Sequence, residues 1–389
     1  MTATWPSLSC CGGNAISSGR EVVTLLPPFF LFCFDRAPRF PPGARDDSPA
    51  QNSFKASNRI HHVCPLHLHD PITGGTSGIG YQASIAIARK QPQSLVIIAS
   101  RNDTNSASQT INSTLNQKNV TFLPLDLSNL DNVRTFASHF ANSNYPPISH
   151  LVLNAVLQFA DTEIHTTTDG FEATFGISHV GHALLFHLLF PHFIPTARVP
   201  VTSSGTHDPA QKTGLPDAKY TTAEEIAHPS AALVKKEGGR GRYSTTKLCN
   251  VLWTYALARR FGKLSASAGR KLTVVAVDPG LVPGTALGRE ASSVERFLWL
   301  HVMPHVRWLI KFVLRTGNVR SRPEAGENMA FVALGEEVKG TNGVYFEGRA
   351  ERRSSVESYE EEKQEELWEW TIKTVARDEE ERKRFDIGK

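Results

Sequence analysis

Short apolar runs and helical patterns alternate along the chain from Ile72 onward. The apolar runs have the length of buried strands, and they lie at residues 94–100, 119–127, 150–155, 198–204 and 271–280. Strands this apolar are typical of a parallel sheet that helices cover on both faces. The pattern therefore predicts an α/β fold with a doubly wound parallel sheet, formed as a single domain by residues 63–389.

The first 62 residues show no such periodicity. They are rich in Pro, Gly and Ser, a composition typical of flexible linkers, so residues 1–62 are predicted to be a poorly ordered extension. An apolar stretch at residues 22–34 is broken by Pro27 and Pro28. It is shorter than the roughly 20 residues that span a bilayer, and a membrane anchor there is the less favoured interpretation.

A glycine-rich loop, "TGGTSGIG", occupies residues 73–80. Gly74, Gly78 and Gly80 follow the pattern TGxxxGxG, and glycine lets the backbone turn sharply and approach a ligand closely. The helix that begins near Ile79 presents unpaired N–H groups and the positive end of its dipole. An anionic pyrophosphate suits that position, so the loop is predicted to bind a dinucleotide.

The residues before this loop do not resemble a buried strand. "HVCPLHLHDPI" contains two prolines and three histidines, and proline cannot donate to a central ladder. We expect either a short, distorted first strand or a stretch of translated non-coding sequence in place of the true one. Sequencing the transcript across codons 55 to 75 would decide between these two expectations.

The end of the second predicted strand bears on which dinucleotide binds. NAD sites usually carry an acidic residue about 20 residues past the loop, but Ser100 and Arg101 stand there. Because arginine can pair with a 2′-phosphate, NADP(H) is favoured. Asp103 keeps NAD as the alternative.

The candidate catalytic residues lie further along the chain. Tyr243 and Lys247, in "YSTTK", are four residues apart in a helical pattern and so share one helix face. A lysine ammonium is expected to lower the pKa of the phenol, which then exchanges a proton with an alcohol or alkoxide. Ser204 ends a predicted strand, where its hydroxyl can hydrogen-bond the reacting oxygen.

In order, the motifs "TGGTSGIG", "LDL", "LNA", "TSSG", "YSTTK" and "VDPG" resemble those of the short-chain dehydrogenase/reductase superfamily. The resemblance covers residues 72 to about 350 and is strongest to the fungal branch related to retinol dehydrogenases and carbonyl reductases. It implies a Rossmann fold with helices that form a substrate lid. It also implies an NADP(H)-dependent oxidoreductase that acts on CH–OH or C=O groups.

The resemblance also implies a role for each matching residue. Tyr243 would be the acid and base, Lys247 would bind the nicotinamide ribose, and Ser204 would orient the substrate carbonyl. The cofactor would be bound by these residues and by Gly74, Thr76, Ser77, Gly78, Ile79, Gly80, Arg101, Asp126, Leu127, Asn154, Pro279, Gly280 and Thr285.

Two residues depart from the superfamily pattern. Val156 replaces the glycine of Asn-Ala-Gly, and Ser178 replaces the asparagine of a proton relay to Lys247. Loss of that relay would slow the reaction by about tenfold to a hundredfold. A catalytically weak, cofactor-binding regulatory protein of the same fold is therefore the alternative function.

The stretch at residues 297–320 is basic and aromatic, and Pro304 interrupts it. We interpret it as the substrate lid, with contact to a membrane surface left open. Residues 205–242, including the glycine-rich "KKEGGRGR", are predicted to form a mobile substrate entrance. The apolar lid favours a small lipophilic carbonyl or alcohol as substrate.

Composition excludes several other classes of protein. A net charge of +4 without a concentrated basic block gives no support to nucleic-acid binding. Five cysteines, an odd number, favour a reducing compartment, so a cytoplasmic protein is predicted, with membrane association and homo-oligomer formation left open. No metal is predicted, because the histidines and cysteine at residues 61–69 have no second ligand cluster.

Overall fold

The computed structural model describes residues 67–388, so the predicted extension and its boundary at residue 62 lie outside the described part. Eight strands form one sheet in the order β3-β2-β1-β4-β5-β6-β7-β8. Strands β1 to β7 are parallel, and β8 runs antiparallel to β7. The strands are β1 Leu68–Thr73, β2 Ser94–Ser100, β3 Val120–Pro124, β4 Ile148–His150, β5 Phe193–Thr202, β6 Thr273–Asp278, β7 Val344–Glu347 and β8 Ala350–Arg352.

Helices cover both faces of this sheet. They are α1 Gly78–Lys90, α2 Ala107–Leu115, α3 Leu130–Asn142, α4 Ala173–Phe175, α5 Gly181–Leu189, α6 Ala223–Ala227, α7 Ala231–Ala268, α8 Ser293–Phe297, α9 Arg307–Val313, α10 Arg322–Leu334, α11 Glu361–Val375 and α12 Glu379–Phe385. One core cluster joins the sheet to α3, α5, α7 and α11, and a second joins it to α1, α2 and α10. The predicted doubly wound fold is thus confirmed.

The predicted strands match the observed ones to different degrees. The run at 94–100 is β2 without change, whereas β3 and β6 are shorter than predicted and β5 begins five residues earlier. The run at 150–155 is largely outside β4 and pairs only through isolated bridges at Val152 and Leu153. An apolar run in the sequence indicates a buried segment, but where its strand begins and ends depends on hydrogen bonds to the neighbouring strands.

The first strand forms although Pro71 lies within it. Toward β2, all six residues of β1 pair in register. Toward β4, one residue pair and the isolated bridge between Ile72 and Val152 are present. Pro71 accepts a hydrogen bond from the Val152 N–H at 2.9 Å but has no N–H to return. The expected distortion is therefore confined to one edge of the strand.

Polar residues of β1 are buried rather than turned outward. The His69 ring lies 4.6 Å from the Phe140 ring, and burial lowers its pKa to about 4. Asp70 accepts hydrogen bonds from Ser149 Oγ at 2.6 Å and from His150 Nδ1 at 2.8 Å. These side chains thus serve the packing of β1 against α3 and β4.

The segment before Tyr243 is more regular than predicted. Helix α7 begins at Ala231, where Ser230 caps it, and continues through a break at Gly238, whose φ of +62° suits glycine. Beyond the break, the Gly239 N–H donates to the Asp161 carbonyl at 2.7 Å. The prediction of a mobile loop over all of "KKEGGRGR" is wrong, because capping and this contact order the chain on both sides of the glycine.

One helical stretch, Ala173–His192, is long and apolar enough to cross a membrane, but 83% of its most apolar window is buried within the protein. It comprises α4, a π-helical turn over Gly176–Val180, α5 and a final short turn. Its apolar side chains form the centre of the first core cluster. Packing against the sheet therefore accounts for the apolar composition of this helical stretch.

Candidate active site

The glycine loop connects β1 to α1 at the carboxyl edge of the sheet. Gly74 and Gly78 have φ of +68° and +58°, which favour glycine. A Cβ on Gly80 would lie 2.3 Å from the Gly74 carbonyl oxygen. The Ser77 side chain makes no cap, and the first turn of α1 has no acidic residue. The first N–H groups of α1 therefore remain suited to a phosphate, and the loop fits a dinucleotide.

A buried polar network supports this loop from below. Asn154 Nδ2 donates to the Thr73 carbonyl at 3.0 Å, and Thr73 Oγ1 accepts from the Asn154 and Ala155 N–H groups. His182 Nδ1 faces the Ser178 carbonyl at 3.1 Å, and its Nε2 lies 2.8 Å from Thr73 Oγ1. A carbonyl only accepts, so Nδ1 carries the proton and Nε2 accepts from the threonine hydroxyl.

Burial lowers the pKa of His182 to about 4. The ring is therefore neutral at pH 7 and keeps the tautomer that this network requires. The Thr73 hydroxyl donates its proton to His182 and accepts hydrogen bonds from two N–H groups. These bonds connect β1 to the segment after β4, where the ladder between the two strands is interrupted.

The residues that follow β2 distinguish two candidate ribose ligands. Arg101 is exposed and lines the cavity, as does Asn102. Asp103 accepts hydrogen bonds from the Ala107 N–H at 2.7 Å and from Ser108 Oγ at 3.0 Å. Its carboxylate is thus engaged at the start of α2, whereas the arginine faces the cavity.

Ser204 lies two residues beyond the end of β5, while Tyr243 and Lys247 lie in α7 and are almost fully buried. Lys247 Nζ donates to the Thr202 carbonyl at 3.0 Å and lies 5.5 Å from the centre of the Tyr243 ring. The Ser204 side chain lies near enough to the Tyr243 phenol to act on its pKa. The structure therefore brings the three residues together on one side of α7.

The electrostatics of this group correct one expectation. Burial raises the pKa of Tyr243 above its usual value, Ser204 acts to lower it, and Asp278 raises it further. Burial lowers the pKa of Lys247 to about 7, against the attraction of Asp278. The prediction of a phenol pKa lowered by the lysine is wrong for this arrangement, because burial is the largest influence on the phenol and Lys247 is not among the groups that lower its pKa.

Asp278 is the residue of the site that the sequence analysis missed. It ends β6, is 2% exposed, and lies in "VDPG", a motif in which only the proline and glycine were considered. Its Oδ1 accepts from the Gly280 N–H at 2.8 Å, and its Oδ2 accepts from Asn318 Nδ2 at 2.7 Å. A carboxylate inside an apolar strand was the signal that could have identified it.

The lid consists of residues 286–316, with α8, a π-helical turn and α9. Trp299 holds its inner side, because its Nε1 donates to the Thr285 carbonyl at 2.8 Å and its carbonyl accepts from the Gly284 N–H at 2.9 Å. Glu295 of α8 pairs with Arg240 of α7 at 3.1 Å. The lid is thus attached to both the Thr285 segment and α7.

A single cavity of about 650 Å³ joins these parts. It is lined by every residue that the sequence analysis assigned to the catalytic or cofactor site, namely Gly74, Thr76, Ser77, Gly78, Ile79, Gly80, Arg101, Asp126, Leu127, Asn154, Ser204, Tyr243, Lys247, Pro279, Gly280 and Thr285. Asp278, Leu298, Trp299 and Met303 complete its walls. The cavity extends from the glycine loop to the underside of the lid.

The two residues that depart from the superfamily pattern occupy different positions. Val156 lines the cavity, so its side chain narrows the space beside the glycine loop. Ser178 is 1% exposed, and its Oγ has no hydrogen-bond partner among residues 67–388. The structure therefore offers no protein contact that links the Ser178 hydroxyl to Lys247.

The amino-acid sequence is similar to a known protein family and to several named proteins. A family model described as short chain dehydrogenase matches residues 71–213. The human polyprenol dehydrogenase is 31% identical over 309 residues, which cover 76% of this chain and 82% of the relative. Human retinol dehydrogenase 13 is 27% identical over 81% of this chain and 88% of its own. The chloroplastic short-chain dehydrogenase TIC 32 B of Brassica napus is 28% identical over 82% and 92%.

Among solved structures, a protein from Mycobacterium paratuberculosis matches with a TM-score of 0.54 and 22% identity, over 80% of this chain and 94% of that one. At this identity the likeness supports the fold alone. The cavity of this protein lies at the carboxyl edge of the sheet, which is where open α/β folds bind their ligands.

Proposed function

Because the chain belongs to the short-chain dehydrogenase/reductase family, we propose that it is an NADP(H)-dependent oxidoreductase that interconverts a lipophilic alcohol and its carbonyl compound. The observation that carries the proposal is the meeting of Ser204, Tyr243 and Lys247 with the glycine loop in one cavity. Enzymes of this family transfer a hydride between a nicotinamide cofactor and a small molecule. NADP(H) and the lipophilic substrate are the parts that this protein's own residues support.

The preference for NADP(H) rests on the residues after β2. Arg101 lies in the cavity wall and is exposed, and a guanidinium can pair with a 2′-phosphate in two parallel hydrogen bonds. Asp103, the candidate for a ribose diol, instead binds the backbone and a serine of α2. A carboxylate held in this way is a poor ligand for the ribose hydroxyl of NAD.

The substrate class is supported by the walls of the cavity near the lid. Leucine, tryptophan and methionine side chains form them, at Leu215, Leu298, Trp299 and Met303. Two relatives are named for polyprenol and retinol, which are lipophilic alcohols. A wall of this kind favours an apolar molecule with one polar end directed at Tyr243.

The bound nicotinamide would supply or accept the hydride. For carbonyl reduction, the Tyr243 phenol donates its proton to the developing alkoxide, and for alcohol oxidation the phenolate removes it. Ser204 hydrogen-bonds the same oxygen and so fixes the substrate beside the tyrosine. Lys247, held by the Thr202 carbonyl, places a positive charge near the phenol when it is protonated.

The test is a pair of measurements on the purified full chain. NADPH and NADH are titrated separately, and oxidation of bound NADPH is then followed by its absorbance with a panel of ketones and aldehydes. We expect tighter binding of NADPH and turnover that Tyr243→Phe lowers about 10²–10⁴-fold. Tyr255→Phe is the matched control, because Tyr255 lies on the same helix and bonds Ser354 outside the cavity.

A second candidate is a cofactor-binding regulatory protein with little activity. It is favoured by Val156 in the cavity wall, by the unpartnered Ser178 hydroxyl within the described residues, and by the raised pKa of Tyr243. NADPH binding without turnover across the whole panel would support this candidate. Failure to bind either nucleotide would contradict both.

A further inference from the structure

The lid carries most of the large hydrophobic side chains that the described residues expose. Of the thirteen large hydrophobic side chains exposed within residues 67–388, ten belong to residues 294–314. They are Val294, Phe297, Leu298, Leu300, Val302, Trp308, Leu309, Phe312, Val313 and Leu314. We call this set the apolar lid face. Concentrated patches of this kind mark interaction sites, whereas scattered exposed side chains do not.

The most exposed aromatic side chains of the apolar lid face lie on α9. Trp308 is 70% exposed and Phe312 is 78% exposed, one helical turn apart on α9, so they form one ridge. Lys311 and Arg315 are exposed beside them. Large aromatic side chains next to basic ones are the composition of helices that lie in the headgroup layer of a membrane.

The charge of the lid favours an anionic lipid surface over a second copy of the chain as the partner of this face. The lid, residues 286–316, has five basic residues and two acidic ones, and one of the acidic residues, Glu295, pairs with Arg240 of the protein body. A second copy of the chain, related by a two-fold axis, would bring these cations against one another. An anionic lipid surface offers the opposite charge along with an apolar interior.

The same segment reaches the cavity from its other side. Leu298 and Leu314 are exposed and also line the cavity, and Trp299 and Met303 of the same segment line it too. The cavity thus lies directly beneath the apolar lid face. A surface set into lipid at this point gives an apolar molecule a path from the bilayer to Tyr243 without passage through water.

We propose that the apolar lid face docks on a lipid membrane that bears anionic headgroups, with Trp308 and Phe312 inserted and Lys311 and Arg315 at the headgroups. This inference rests on the proposed function for its substrate, which enters from the membrane. The contact is peripheral, because α9 has seven residues and is far too short to span a bilayer.

The test measures co-sedimentation of the purified full chain with vesicles of phosphatidylcholine, with and without phosphatidylserine. Binding should require phosphatidylserine and weaken as salt is raised. The Trp308→Ser and Phe312→Ser double variant should weaken binding about tenfold or more. Lys311→Gln and Arg315→Gln should each weaken it about fivefold. Val356→Ser, at an 88% exposed valine outside the lid, is the matched control and should bind as the parent does.

Two outcomes would overturn the docking proposal. The chain remains in the supernatant with either vesicle, or it binds equally well after the double substitution. If it also elutes as a dimer that Trp308→Ser and Phe312→Ser convert to a monomer, a second copy covers the face instead.

Turnover of a water-soluble ketone, measured on the same samples, separates this proposal from the proposed function. Turnover without membrane binding rejects the docking surface alone. Membrane binding without turnover of that ketone or of any member of the ketone and aldehyde panel rejects the oxidoreductase and leaves the surface in place.

Discussion

The glycine loop with its supporting network and the lid form opposite walls of one cavity, and they are built differently. Thr73, Asn154 and His182 are buried, and their hydrogen bonds satisfy one another in a single arrangement. The lid exposes most of its large side chains and is attached through Trp299, Glu295 and a few backbone contacts. The first wall is held by buried hydrogen bonds, whereas the second covers the cavity and is held by a few contacts.

The difference shows where this protein fixes chemistry and where it leaves room for variation. A dinucleotide has one shape, so its wall can be rigid, and a buried polar network rigidifies most when every member is paired. A wall that admits apolar molecules needs adaptable contacts instead. Substitutions on the two walls should therefore differ in kind as well as in size.

The largest effect is expected from Gly80→Ala in the glycine loop. The new Cβ would lie 2.3 Å from the Gly74 carbonyl oxygen and 2.6 Å from Asn154 Nδ2. Since the network beneath cannot yield, we expect a stability loss of about 1–3 kcal/mol and nucleotide affinity lowered about tenfold or more. Thermal unfolding and NADPH titration measure the two effects.

Gly262→Ala is the control, since this helical glycine is exposed and has open space around its Cβ position. It should stabilise the protein by up to about 1 kcal/mol. Unchanged NADPH affinity in Gly80→Ala would show that the loop is as adaptable as the lid, and the comparison would fail.

An intermediate effect is expected from Asp278→Asn, at the floor of the cavity. Asp278 raises the pKa of both Lys247 and Tyr243, so its neutralisation lowers both values. If protonated Lys247 supports the reaction, kcat is lost as pH rises through the lysine pKa, and this loss moves from about pH 7 to lower pH in the variant. The pH dependence of kcat measures the shift.

Asp131→Asn provides the control for Asp278→Asn, because Asp131 is exposed and pairs with Arg377 away from the cavity. Its pH profile should match that of the parent. A profile of Asp278→Asn that also matches the parent would assign Asp278 to loop structure alone, through its bonds to Gly280 and Asn318.

The smallest effect is expected from Trp299→Phe in the lid. The change removes the bond to the Thr285 carbonyl and keeps an aromatic ring in the cavity wall. A single neutral hydrogen bond is worth about 0.5–1.5 kcal/mol, so KM should rise about twofold to tenfold, with most of the effect in KM rather than in kcat. Steady-state kinetics with a lipophilic ketone measure both constants.

Trp370→Phe loses a comparable indole bond, to Glu224 at 2.7 Å, outside the cavity. It should leave both kinetic constants unchanged. A fall in kcat for Trp299→Phe as large as that for Tyr243→Phe would place the lid among the parts that fix the chemistry.

The sequence was most informative where one residue type has one physical use. The glycines of the loop, the spacing of Tyr243 and Lys247, and the apolar run of β2 all led to correct elements of the fold. Where contacts between distant segments decide, local pattern did not suffice. Examples are β1 with its proline, and the part of α7 that follows the break at Gly238, where the Gly239 N–H donates to the Asp161 carbonyl.

The electrostatics of the site were also beyond local pattern. The pKa of Tyr243 is governed by burial and by Asp278, which approaches from a different strand. The exposure of Trp308 and Phe312 depends on which side of the lid faces the cavity, and seven residues of α9 give no periodicity long enough to show it. Composition identified the lid but not its outward face.

Because Pro71 has no N–H, fewer hydrogen bonds join β1 to β4. The proposed nucleotide site lies across this junction. Gly74 stands on one side of it, and Asn154 stands on the other. A dinucleotide in place would act as a clamp between the two halves of the sheet. The cellular supply of the nucleotide would then govern how much of this protein escapes proteolysis, as well as how fast it works.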